Sequence, residues 1–163
     1  MGIKDTSDLN KFLKPFSSEI QELALFLREF VWKLYPNCNE LVYDSYNALA
    51  FGWSISDKLG DTFCSIAVME KYCHFGFYRG VDISDPEKRL LGQGNQYRYM
   101  KVSEPTDLPK TYIKKLLKEA YANAVARKKI ASMKKTTKKV KPEAAVKGQT
   151  ITKMTLVKKR RPG

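Results

Sequence analysis

The spacing of apolar residues changes character twice along this chain, and the changes predict its elements. Residues 7–14 read as a short helix stopped by Pro15. Ser17-Ser18 then offers an N-cap, with Gln21 three residues after Ser18 as in a capping box. Ile20, Leu23, Leu27, Phe30, Val31 and Leu34 follow at helical spacing, so residues 19–35 form an amphipathic helix that ends at Tyr35-Pro36-Asn37. The middle of the chain reads as strands: 40–43, 47–54, 62–69, 72–78 and 97–102. Asp57 to Asp61 is a turn segment, Glu70-Lys71 the tip of a hairpin, and 82–95 a loop-rich stretch with Asp85-Pro86 and Gly92-Gln93-Gly94. Asp107 caps a long helix from Leu108 to about Arg127, with Pro109 in its first turn. Its expected buried stripe is Leu108, Tyr112, Ile113, Leu116, Leu117, Ala120, Ala124 and Val125.

Two helices, a run of strands joined by short turns and a final helix make an α+β fold. The expected architecture is a mostly antiparallel sheet of about five strands packed against N-terminal and C-terminal helices. The length of 163 residues suits one domain. The composition shift divides it into a domain at 1–126 and a basic, disorder-like tail at 127–163. Within that tail Ile151–Val157 is the one apolar patch, able to dock weakly or not at all.

The formal charge of +13 sits entirely in the tail. From Arg127 onward there are fourteen Lys and Arg against one acid, Glu143, whereas residues 1–126 balance sixteen against sixteen. The tail is therefore a candidate for polyanion or nucleic-acid binding by counterion release, through Lys128, Lys129, Lys134, Lys135, Lys138, Lys139, Lys158, Lys159, Arg160 and Arg161. The last four would read as a nuclear signal in a eukaryote, and the bland alternative is a solubilising appendage. No apolar run is long enough to cross a membrane, and no secretory signal follows Met1. The start fits the myristoylation pattern at Gly2 only loosely. Three cysteines, an odd number, argue against a disulfide scaffold and for a reducing compartment.

The hairpin register sorts the candidate chemistry. If Met69 pairs with Tyr72, then Cys64, Ile66 and Val68 share a core face with Phe77, Phe75 and Cys73. Phe63, Ser65, Ala67 and Met69 share the other with Tyr78, Gly76, His74 and Tyr72. Cys64 and Cys73 then stand roughly 13 Å apart. That is too far for a disulfide or a shared zinc, and His74 faces away from both. Cys73-His74 is no dyad for the same reason, and nothing marks Ser65 as a nucleophile. The second face mixes the small residues Ala67 and Gly76, with Ala48, Ala50 and Gly52 next door, and the polar rings Tyr72, His74 and Tyr78. Small residues on a sheet admit a closely packed helix, the commoner case, or leave a groove. Gly92-Gln93-Gly94 precedes a strand and lacks a third glycine, so it is a turn rather than a phosphate cradle. Asp82, Asp85 and Glu87 form a weak hard-cation alternative to ordinary solvated loop acids.

Several segments in order resemble the YdhG-like family, a mainly bacterial domain of unknown function. They are Glu40-Leu41-Val42-Tyr43, Asn47 to Gly52, Lys71 to Phe77, Arg79-Gly80, Asp85-Pro86, Leu91 to Gly94 and Arg98 to Lys101. The resemblance covers roughly residues 18 to 125. It implies a curved antiparallel sheet with helices against it and a bacterial cytoplasmic setting. Some relatives carry the label of frataxin-like iron chaperones, which would make iron the one cofactor to consider. Helix 19–35 has only Glu19, Glu22 and Glu29 to offer iron. The resemblance supplies no catalytic motif. The expectation is a non-catalytic module that takes a small ligand or protein partner through Tyr72, His74, Tyr78, Arg79 and Arg98. An iron-binding chaperone and a polyanion binder acting through its tail are the alternatives.

Overall fold

The computed structural model describes residues 7–45, 48–138 and 156–158. Helix α1 spans Ser7–Leu13 and α2 spans Ser18–Leu34. The cap of α2 falls one residue before the expected box. Ser17 Oγ accepts the Ile20 N–H at 3.2 Å, while the Gln21 amide donates to the Phe16 carbonyl at 2.8 Å. Ile20, Leu23, Leu27 and Val31 are buried at the predicted spacing.

Five strands follow the helices: β1 (Asn39–Ser45), β2 (Ala48–Ser54), β3 (Thr62–Val68), β4 (Cys73–Phe77) and β5 (Arg98–Val102). They pair antiparallel in the order β5-β4-β3-β2-β1, each beside its sequence neighbour. The fold is α+β, as the element order predicted. A short strand β6 (Leu156–Lys158), from the apolar patch of the tail, pairs parallel with Val42–Asp44 on the outer edge of β1.

The β3–β4 register is the one the turn at Glu70-Lys71 implied: Cys64 opposite Phe77, Ile66 opposite Phe75, Val68 opposite Cys73. All six side chains are fully buried. Rings tie this face to the helices, with Phe30 edge-on to Phe75 at 6.4 Å and Trp32 edge-on to Trp53 at 6.2 Å. One residue departs from simple alternation. Trp53 pairs with Cys64 and Ser54 with Thr62, so Phe63 is the extra residue of a bulge. The bulge corrects its expected place on the second face. Phe63 is 1% exposed and packs on Tyr35 and Tyr121, at 5.2 and 5.3 Å.

A buried ion pair joins α2 to β1. Arg28 Nε and Nη2 donate to the two Glu40 carboxylate oxygens at 2.7 and 2.9 Å, and Trp32 Nε1 donates to the same carboxylate at 3.3 Å. Arg28 is 7% and Glu40 2% exposed.

Helix α3 spans Lys110–Lys138. It begins after a 3-10 turn at Pro105–Asp107, where Asp107 Oδ2 accepts the N–H groups of Ser103 and Glu104. Two expectations are corrected here. The helix continues eleven residues beyond Arg127, so the first part of the basic segment is helical. Val125, placed in the buried stripe from sequence, is 40% exposed, because the core row ends at Ala124. Lys139 and Lys159 to Arg161 lie outside the described residues, as does Gly2.

Candidate binding face of the sheet

The face of the sheet opposite the helices carries a row of stacked rings. Tyr72 and His74 stand two residues apart on the β4 side, with centroids 5.3 Å apart and planes 23° from parallel. His74 pairs in register with Lys101, which places Tyr99 diagonally across from it. The His74 and Tyr99 rings stack at 3.9 Å and 22°. Tyr97 continues the row at 5.8 Å and 23° from Tyr99. At the other end Lys101 Nζ lies 4.5 Å over the Tyr72 ring, a cation–π contact.

The small residues beneath have a specific use. A Cβ at Gly76 would collide with the hydroxyl and ring of Tyr97, so glycine is what lets that tyrosine lie down on the sheet. A Cβ at Gly52 would meet Thr62 Cγ2 at 2.9 Å and the Tyr43 ring at 3.5 Å. The Tyr43 and Tyr78 hydroxyls hydrogen-bond to each other. The small residues thus accommodate tyrosines of the sheet itself, the case that neither the helix reading nor the open-groove reading foresaw. Tyr72, His74, Tyr78, Tyr97 and Tyr99 remain half-buried. Burial pushes the Tyr97 hydroxyl up to about 12, and pushes Tyr43 well above an ordinary phenol with Tyr78 beside it. Tyr43 and Tyr97 are therefore neutral hydrogen-bonding groups at neutral pH.

His74 is held below its ordinary value of 6.5 by burial and then by the Lys101 charge. A histidine whose folded value is depressed binds its proton less readily in the folded state. Its contribution to stability is therefore full above the unfolded value and is lost as pH falls through the window below 6.5. The expected outcome is a urea midpoint that drops on acidification from pH 7 to 5, and a smaller drop in His74→Phe, which keeps the ring but not the titration.

Of the five residues named from sequence, Tyr72, His74 and Tyr78 share this face. Arg79 and Arg98 are not brought to it. Arg79 pairs with Asp82 at 3.3 Å, and Asp82 also meets Arg127 of α3 at 4.0 Å. Arg98 pairs in register with core-facing Phe77, and its Nη1 donates to the Gly94 and Tyr97 carbonyls at 2.8 and 2.7 Å. It organises the 91–98 loop. Tyr97, Tyr99 and Lys101 were missed. Their alternation, Tyr97-x-Tyr99-x-Lys101, carried the signal once β5 is laid beside β4.

The three loop acids each have a different partner. Asp82 has its arginines, and Glu87 pairs with Arg89 at 3.3 Å. Asp85 accepts the Arg89 and Leu90 N–H groups and the Tyr112 hydroxyl at 2.6 Å. Burial raises the Asp85 carboxyl, but these donors outweigh it and hold it below its ordinary value. Among the described residues no group of three or more His, Cys, Asp or Glu is arranged to hold a metal ion. Beside this loop a concavity of about 370 Å³ opens against α3, lined by Ser84, Pro86, Tyr112, Lys115, Leu116 and Glu119. Within the described residues no helix is long and apolar enough to cross a membrane. Comparison with protein-family models, with curated proteins and with solved structures finds no match for this chain.

Proposed function

We propose that this chain is a non-catalytic binding module of the YdhG-like kind, and that it takes its partner on the tyrosine–histidine face of the sheet. The observation that carries the reading is the continuous stack Tyr72–His74–Tyr99–Tyr97 on the face turned away from α2 and α3. An antiparallel sheet whose second face meets only water usually shows charged side chains there. Here Lys101 is the one charge that β3, β4 and β5 direct to this side. Tyrosines fixed by stacking give a large amphipathic contact area at little conformational cost, with hydroxyls to orient a partner. Because Tyr97, Tyr43 and Tyr78 occupy the floor, the face presents rings rather than a deep pocket. That favours a protein or peptide over a buried small ligand.

Site-specific photocrosslinking tests this in the intact protein. A benzophenone side chain at position 101, on the ring face, is expected to capture a discrete partner in cells. The same group at the exposed Lys33 of α2 is the control. A partner captured equally from both positions, or only from position 33, would reject the placement.

A further inference from the structure

Helix α3 carries a second row of exposed side chains opposite its core row. At about 100° per residue, Ile113, Leu117, Ala120 and Ala124 fall on one side, and all four are buried. Arg127 and Lys128 continue that side past the last buried turn. They reach Asp82 at 4.0 Å and Asp61 at 3.5 Å, on the same side of the helix as the core row. Opposite stand Lys115, Lys118, Lys129 and Met133, with Val125 at one flank and Ile130 at the other. Val125 is 40%, Ile130 53% and Met133 62% exposed.

The outward face of a surface helix is ordinarily polar. This one begins with lysines and then interleaves lysine with large apolar side chains. No acid follows Glu119 in the sequence until Glu143, and Glu119 itself accepts the Ser84 N–H and hydroxyl. From Lys115 to Met133 the strip is about 27 Å long at 1.5 Å per residue.

We propose that the outward face of α3 docks on an anionic lipid bilayer. The helix lies flat, Val125, Ile130 and Met133 enter the headgroup boundary, and Lys115, Lys118 and Lys129 meet lipid phosphates. Charge complementarity selects this occupant. Cations interleaved with apolar side chains match a surface that is anionic outside and apolar just beneath. A nucleic acid would use the lysines and leave the apolar row in water. A second copy of the chain would set lysine against lysine. Docking of this kind needs no spanning segment, and it stands independently of the ring face.

The test is co-sedimentation of the full chain with vesicles of phosphatidylcholine alone and with about 30% phosphatidylserine, near 0.1 M salt. Binding is expected only to the anionic vesicles. The double variant I130S/M133S is expected to lower the affinity at least roughly tenfold by removing two apolar side chains from the lipid boundary. Both positions are exposed, so an unchanged melting temperature checks that the variant is folded. The triple variant K115Q/K118Q/K129Q is expected to bind at least roughly tenfold more weakly. Absence of any preference for anionic vesicles overturns the proposal. So does full binding by I130S/M133S, which would assign the attachment to the charge of residues 127–163 alone. Binding of a single-stranded oligonucleotide without binding of vesicles would also overturn it.

Discussion

Glu40→Ala is expected to lower the stability of the protein by roughly 3–5 kcal/mol, the cost of breaking a buried ion pair by removing one member. Against a typical total of roughly 5–15 kcal/mol, that is enough to bring the domain near its unfolding threshold. Both partners are almost wholly buried, and the pair is bidentate, with the Trp32 indole N–H as a third donor. Removing the carboxylate takes two charge-assisted hydrogen bonds from the Arg28 guanidinium, which is 7% exposed between α2 and β1. The double variant R28M/E40L replaces the pair with apolar groups of similar size, and should recover most of the loss. Urea midpoints of the two proteins check this. A large loss in both would mean that the ion pair is stabilising beyond its own desolvation cost. A negligible loss in Glu40→Ala would mean that the helix–strand junction is looser than described.

Gly76→Val is expected to destabilise the domain by about 1–3 kcal/mol, as overpacking does, and to remove partner binding along with it. Any Cβ at position 76 collides with Tyr97, whose ring lies directly over the strand. The tyrosine must shift, which disturbs its stacking on Tyr99. Glycine-to-alanine changes at Gly60 and Gly94, which have open space around them, are the matched controls and should shift stability little. Thermal melts give the first readout and the crosslinking yield at position 101 the second. A Gly76→Val protein that keeps both would show that the Tyr97 ring is free to move without consequence.

Much of the frame was legible in the sequence because it rests on local rules. A two-residue turn at Glu70-Lys71 fixes the β3–β4 register. The register alone sends Cys64 and Cys73 into the core and His74 to the other face. The 3.6-residue spacing of Ile20 to Val31 gave α2 its buried side for the same reason. What escaped depends on contacts far apart in sequence. The bulge at Phe63 is set by where Tyr35 and Tyr121 leave room for a ring. The Arg28–Glu40 pair is invisible in a count of charges, where both look like surface residues. Tyr99 reaches His74 only because β5 returns to pair with β4 across the 78–97 loop. The end of α3 was misjudged because composition changes at Arg127 while helical pairing continues, aided by the Arg127–Asp82 and Lys128–Asp61 bridges. Lysine is a good helix former, so a basic run need not be an irregular one.

Native mass spectrometry of the full chain, purified gently from cells beside its His74→Ala/Tyr99→Ala variant, tests the ring face most directly. The expected result is a reproducible bound species on the wild-type protein that is absent from an equally folded variant. The same bound species on both proteins, or none on either, would contradict a binding face built on Tyr72, His74, Tyr97 and Tyr99.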